Sequence, residues 1–199
     1  MEGKLLIFSA PSGAGKTSIV RALLGRVDGL EFSVSACSRP MRSGEKDGVD
    51  YYFLSPAAFR EKIEQGQFLE WEEVYPGSYY GTLKSEVSRI WDKGKHVVFD
   101  VDVAGALSIK EHYGNKALSV FVMPPSVEEL RKRLVLRKTE TEESLQKRIG
   151  KARHEMGFSD RFDRILVNED LDTAIEEAEK LVTEFLESGQ DQGVEKYDA

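Results

Sequence analysis

The chain has one cysteine, Cys37, and only three histidines, His96, His112 and His154, scattered along its length. A single cysteine excludes an intramolecular disulfide and a cysteine-based zinc cluster, and the histidines show no ligand spacing. Long apolar runs are also missing: nothing approaches the roughly 20 residues needed to span a bilayer. The apolar stretch after Met1-Glu2-Gly3-Lys4 stops at Pro11, too short for the core of a signal peptide. Basic charge is in deficit, with 28 Lys and Arg against 35 Asp and Glu and a net charge of −7. That balance argues against sequence-independent nucleic-acid binding, which needs a basic surface. A soluble, cytoplasmic protein is expected, with neither a nucleic acid nor a membrane as partner.

What remains is an ordinary globular chain of 199 residues, 40% hydrophobic and 32% charged. At that length one domain can bury roughly 70% of its unfolded surface without staples. Lys4–Ala10 reads as a short buried strand and Thr17–Arg26 as a helix with Ile19, Val20, Leu23 and Leu24 on one face. Strands are expected at Phe32–Cys37, Asp50–Leu54, Phe68–Val74, His96–Val103, Ala117–Met123 and Arg164–Val167. Helices are expected from Ser55-Pro56 to about Gln65 and over Leu83–Lys93, Gly105–Tyr113, Val127–Arg137, Glu142–Met156 and Leu171–Leu186. Strands separated by helices imply a parallel sheet with helices on both faces. Residues 32–82, where strands outnumber helices, read as an inserted lobe, and the polar tail 188–199 as frayed.

Between the first strand and the first helix lies Ala10-Pro11-Ser12-Gly13-Ala14-Gly15-Lys16-Thr17. It fits G-x-x-x-x-G-K-[ST] except at its first position, where Ala10 replaces glycine. Glycines let backbone N–H groups curl inward at phosphate oxygens, and the helix N-terminus adds partial positive charge. Lys16 then supplies a point charge to β- and γ-phosphates, and the Thr17 hydroxyl can hold Mg²⁺. Strand, glycines, lysine and helix fall in register, which makes nucleotide binding the favoured reading and the fold a P-loop type α/β sheet. Asp102-Val103-Ala104-Gly105 matches the D-x-x-G of GTPases, but Asn115-Lys116-Ala117-Leu118 has leucine where guanine recognition needs aspartate. Asp100, at the end of an apolar strand, is a candidate acid near Mg²⁺, or else a helix cap. Asp102, two residues on, is expected on the same side of that strand.

Ser35, Arg39 and Arg42 follow the second strand, where α/β sheets form their ligand crevice. Their guanidinium forks suit a phosphate, and Tyr51, Tyr80 and Thr82 could add hydroxyl donors to the same anion. A solvated polar loop accounts for the arginines equally well, and Tyr79 and Tyr80 could be core or edge-strand aromatics. Residues 128–153 carry nine basic and five acidic side chains, locally +4, as a solvated helical hairpin or a cover for an anion.

Taken in order, Ser35-Ala36-Cys37-Ser38-Arg39-Pro40-Met41-Arg42-Ser43-Gly44-Glu45, Gly48-Val49-Asp50-Tyr51, Phe68-Leu69-Glu70-Trp71, Tyr79-Tyr80-Gly81-Thr82 and Phe99-Asp100-Val101-Asp102 resemble guanylate kinase. So do Pro124-Pro125-Ser126, Thr139–Ser144 and Val167-Asn168, and the resemblance runs from about Leu5 to Phe185. It implies an ATP:GMP phosphotransferase with a core (1–31, 83–125 and 157–187), a GMP-binding lobe (32–82) and a helical lid (126–156). It implies that Arg39, Arg42, Tyr51 and Tyr80 hold the GMP phosphate, that Glu70 reads guanine, and that Ser35 and Thr82 bond the remaining base edge. Asp100 and Asp102 would lie near base, phosphate or metal, with Thr17 and Asp100 toward Mg²⁺. Residues 10–17 would hold ATP, helped by Arg133, with Asn168 on the adenine side. Lys16, Arg42, Arg137 and Arg148 would be catalytic. Without the resemblance, Glu70, Glu72 and Glu73 cannot be told apart. Pro40 before Met41, Ala104 and Lys138 depart from the family pattern. A kinase for another nucleoside monophosphate, or a phosphopeptide-binding module of the same fold, are the rival readings; the intact Lys16 and Thr17 favour the enzyme. The sequence does not distinguish a monomer from a homodimer.

Overall fold

The computed structural model describes residues 2–136 and 142–188. In chain order these form β1 (Leu5–Ser9), α1 (Lys16–Arg26), β2 (Leu30–Phe32), β3 (Ala36–Cys37), β4 (Tyr52–Phe53), α2 (Pro56–Glu64), β5 (Phe68–Tyr75) and β6 (Ser78–Leu83). Then come α3 (Lys84–Trp91), β7 (His96–Asp100), α4 (Val103–Tyr113), β8 (Ala117–Met123), α5 (Val127–Leu136), α6 (Glu142–Met156), β9 (Arg164–Val167) and α7 (Leu171–Glu187).

Five strands make a parallel sheet in the order β2-β7-β1-β8-β9. The central strands are mostly apolar because both faces are covered. Along β1, Leu6 and Phe8 face α1 and α7 and pack with Ile19, Leu23, Ile175 and Val182. Their neighbours Leu5 and Ile7 point the other way, onto Val87 and Ile90 of α3 and Ala106 and Ile109 of α4. Alternation along one strand thus places one five-residue segment in two cores. Replacing Ile7, which is wholly buried, by Ala would cost about 2–5 kcal/mol.

A second sheet, β4-β3-β6-β5, is mixed: β3 and β4 are parallel, and β6 runs antiparallel to β3 and β5. Its core is a stack of Phe59, Phe68 and Tyr79. Helix α2 starts where Ser55 accepts from the Ala58 N–H at 3.1 Å, with proline at its first position. The α5–α6 pair has its own small core of Leu130, Leu134, Leu145 and Ile149. Gly13 lets that pair lean on the phosphate loop, since a Cβ there would meet the Leu134 and Leu130 methyl groups at 3.0 and 3.1 Å. Among the described residues no helix is long and apolar enough to cross a membrane.

Three sequence readings need correction. The expected strand 32–37 is two strands in two sheets: β2 ends its ladder with Ser33 N–H on the Val98 carbonyl, and the chain then turns into β3. The strand expected to reach Val103 stops at Asp100, because Asp102 accepts from the Gly105 N–H at 2.7 Å and caps α4. Asp100 and Asp102 therefore do not alternate along one strand, and the cap is Asp102, not Asp100. The edge strand that Tyr79 and Tyr80 allow is an inner one: β6 lies between β3 and β5. Gly81 is required there: a Cβ would lie 2.6 Å from the Glu70 carbonyl.

Candidate active site

The crevice opens at the C-terminal ends of β1 and β7, where open parallel sheets bind ligands. Gly13 and Gly15 take positive φ (96° and 99°), curling residues 10–15 around the start of α1. No side chain caps α1 and no acid lies in its first turn, so its free N–H groups face a cavity of about 370 Å³. Ala10, Pro11, Ser12, Gly13, Gly15, Lys16 and Thr17 line this cavity, with Asp100 and Asp102 opposite. Ala14 is buried beneath it. Lys16 Nζ pairs with Asp100 Oδ1, and Thr17 Oγ1 donates to Asp100 Oδ2 at 3.1 Å. From the α5–α6 pair, Arg148 Nη1 donates to Ser12 Oγ at 3.0 Å and closes the cavity's outer side.

A second cavity, of about 300 Å³, lies between the two sheets. Ser35, Tyr51, Glu70, Glu72 and Tyr80 face it from the lobe, and Asp100, Asp102 and Lys151 complete it. These last three also line the phosphate-loop cavity, so the two spaces share a wall. Pairing of Glu70 with Thr82 across β5 and β6 brings the buried Thr82 hydroxyl to Glu70 Oε1 at 2.6 Å. Removal from water pushes Glu70 up to about 6, against the Thr82 hydrogen bond. A hydrogen bond to Asp102, then burial, raises the Glu72 carboxyl above the ordinary range. For Asp102 burial works upward, but the Glu72 bond, the Gly105 N–H and the charges of Lys151 and Lys16 bring it below its usual value.

The expected phosphate-holding groups are only partly assembled. Arg39 is gripped by both Glu45 oxygens (2.6 and 2.7 Å) and lies over Tyr51, whose ring meets Tyr80 edge-on. Arg42 is exposed, its backbone N–H bonded to Glu45, and it lines neither cavity. Arg133 turns away from the loop cavity toward Glu129 and the Glu169 carbonyl, both at 3.3 Å. Asn168 is buried under the phosphate loop and donates to the Ala14 carbonyl. Arg137, Lys138 and the residues up to Thr141 lie outside the described residues, as does the tail beyond Ser188. Tyr79 is core and Tyr80 faces the cavity.

Sequence reasoning missed Lys151, Glu155, Glu72 and Glu45. Lys151 and Glu155 had a legible signal, because they follow Arg148 by three and seven residues and share its helix face. Thr17 and Asp100 offer two hard oxygens beside the loop cavity, a donor set that fits Mg²⁺ completed by water and phosphate oxygens. Among the described residues no group of three or more His, Cys, Asp or Glu forms a metal cage.

A glycine loop at the end of a central parallel strand, facing an acid on the neighbouring strand, defines a P-loop nucleotide-binding protein of the α/β class. A family model for guanylate kinase matches residues 2–185. The chain is 54% identical to the guanylate kinase of Bacteroides thetaiotaomicron, over 94% of this chain and 91% of that one. It is 51% identical to the guanylate kinase of Porphyromonas gingivalis, over 92% and 98%. The crystal structure of guanylate kinase from Anaplasma phagocytophilum superposes with a TM-score of 0.71 at 31% identity, covering 96% of this chain and 88% of that one. The chain belongs to the guanylate kinase family.

Proposed function

We propose that this chain transfers the γ-phosphoryl group of ATP to GMP, giving ADP and GDP, with donor and acceptor in the two cavities that share the Asp100–Asp102 wall. That shared wall is the observation that carries the reading: two nucleotide-sized spaces meet where one offers a phosphate loop and the other a desolvated carboxylate. Phosphoryl transfer needs positioning and charge stabilisation more than covalent help from the protein. Residues 10–17 hold the triphosphate, Lys16 leaves Asp100 for the β- and γ-oxygens, and Arg148 meets the transferring group from the outer side. Thr17 and Asp100 would hold Mg²⁺, which supplies neutralisation of the phosphate charge when bound.

On the acceptor side, Glu70 takes the two donors of the guanine edge, N1–H and the 2-amino group. Adenine has an acceptor at N1 and no 2-amino group, so it leaves that carboxylate unpaired. Ser35, Thr82 and Asp102 complete the base end, and Arg39, Tyr51 and Tyr80 the phosphate end. Arg42 joins them when the lobe (32–82) swings inward, as the lid (126–156) does over ATP. An acceptor phosphate oxygen, largely ionised at neutral pH, attacks the γ-phosphorus while the bond to the ADP oxygen breaks. Arg133 and Asn168 support the donor site from outside its wall. Closure excludes water, which would otherwise take the phosphoryl group.

The deciding experiment measures ADP formation from Mg-ATP with GMP, AMP, dTMP or UMP as sole acceptor. Turnover with GMP far above the others is expected. Equal use of AMP would overturn the role of Glu70, and no turnover with any acceptor would overturn the enzyme.

A further inference from the structure

Glu86, in the first turn of α3, is only 2% exposed, and none of the chemistry above uses it. Its Oε2 accepts from the Val34 N–H and from Arg89 Nη2, both at 2.9 Å. Its Oε1 accepts from the Tyr52 hydroxyl at 2.7 Å and from Arg89 Nε at 2.8 Å. Arg89 pairs in turn with Glu31 on β2, which also draws in Lys93 at 2.7 Å and Lys95 at 3.1 Å. A buried charge is tolerated only when paired and fully hydrogen-bonded, and here both oxygens are. Burial works against the charged form, but Arg89, Tyr52 and Val34 together hold the carboxyl below its ordinary range.

The groups it holds lie on both sides of the boundary between the sheets. Val34 belongs to the short link from β2 to β3, and Tyr52 to β4. Each is the neighbour of a residue lining the acceptor cavity: Ser35 follows Val34, and Tyr51 precedes Tyr52. The two neighbours are also joined, because the Tyr52 N–H donates to the Ser35 carbonyl at 2.9 Å. Successive side chains of extended chain point opposite ways, so tying Tyr52 from behind aims Tyr51 forward.

We propose that Glu86 is a positioning residue for the acceptor nucleotide: from α3 it ties Val34 and Tyr52 together and so fixes Ser35 and Tyr51 in the acceptor cavity without touching the ligand. This inference rests on the reading of that cavity as the GMP site. Through Arg89 and Glu31 the tie is anchored to the parallel sheet, so a loosened tie lets the cavity wall drift relative to the phosphate loop.

The test is steady-state kinetics with ATP and GMP varied separately. Tyr52→Phe removes one hydrogen bond and leaves Glu86 with Arg89 and Val34, so its fold is safe. It should raise KM for GMP about fivefold, the equivalent of one hydrogen bond. KM for ATP should stay within about twofold of the wild type, a split that a general loss of fold would not give. Glu86→Gln sets an amide N–H₂ against donors, and its KM for GMP should rise more than about tenfold. Lys93→Ala, which strips an outer charge from Glu31, should leave both KM values at the wild-type level. Tyr52→Phe and Glu86→Gln proteins that melt lower yet keep the wild-type KM for GMP would overturn the proposal, as would equal rises in both KM values. A wild-type protein with no GMP turnover would overturn the GMP reading itself, and is seen before any variant is compared.

Discussion

The side-chain amide of Asn168, just past β9, donates to the Ala14 carbonyl at 2.6 Å and so holds the phosphate loop from beneath. Its own backbone N–H is bonded to the Met123 carbonyl at the end of β8, which makes the prop rigid. The same amide nitrogen occupies the space that a Cβ on Gly15 would need. Gly15 is thus required twice, by its positive φ and by Asn168. Asn168→Ala leaves a buried carbonyl without its partner and should cost about 1–3 kcal/mol of stability. KM for ATP should rise more than KM for GMP, because the disturbed element is the donor loop. Thermal melts and paired kinetics check both; equal KM values with a lowered melting temperature would reduce Asn168 to a packing residue.

Gly105 faces Glu70 across the junction of the two sheets, and a Cβ there would lie 2.9 Å from Glu70 Oε2. The clash is with the end of a flexible side chain, so Gly105→Ala should fold normally and move the carboxylate. Gly105 also lies in the first turn of α4, where alanine is the better helix former by about 1 kcal/mol. The expected result is unchanged or slightly raised stability with a KM for GMP at least about tenfold higher and an unaltered KM for ATP. Wild-type use of GMP by this variant would mean that the position of Glu70 does not matter.

The parallel sheet was legible because its signals are local. The apolar runs of β1, β7 and β8, the Ser55-Pro56 start of α2 and the glycine loop each act within a few residues. The bounds of β8, β9 and α6 match the expectation to the residue. What was not legible depends on partners distant in sequence. Strand β6 is a strand because β3 and β5 flank it, and the split of 32–37 follows from Val98 taking the Ser33 N–H while Glu86 takes the next one, that of Val34. Within the site, Lys16, Thr17 and Asp100 come together as their motif spacing implies. Glu45 could not be read as the partner of Arg39, because a loop acid and a loop arginine carry no periodicity. Lys151 stands among nine basic charges of the hairpin, and only its helical spacing from Arg148 marks it as facing both cavities.

Glu70 gives a pH signature. Its carboxyl, pushed from 4.5 up to about 6 by loss of water, must be ionised to accept from guanine. As pH falls through 6 the free protein takes up a proton there, so kcat/KM for GMP should fall with an acidic limb near 6. The acceptor phosphate titrates in the same region in every variant, so the informative quantity is the ratio of wild type to Glu70→Gln. That ratio should rise from pH 5 to pH 7 and then level. Stability runs the other way: a raised carboxyl favours the fold below pH 4.5 and loses that contribution as pH climbs through 6. Wild type should therefore lose stability relative to Glu70→Gln between pH 5 and 7. A flat activity ratio would remove Glu70 as the base reader.

Lys16 and Thr17 take one oxygen each of Asp100, and the three residues are expected to do different work once ATP arrives. Lys16→Ala removes a charge aimed at the phosphates and should lower kcat/KM by at least about 10³. The fold should survive, because Lys16 and Asp100 both keep contact with solvent and Asp100 keeps Thr17, so the melting temperature should move by no more than about 4 °C. Asp100→Asn should behave differently. It keeps the size of the side chain and the phosphate loop, and gives up the charge that pairs with Lys16 and holds the divalent ion. Its activity should therefore recover as Mg²⁺ is raised, whereas that of Lys16→Ala should not, since no metal concentration restores an ammonium group at that position. If raised Mg²⁺ rescued both variants alike, Lys16 would be acting through the metal site and not on the phosphates. If it rescued neither, the acid at the end of β7 would owe its place to Lys16 alone.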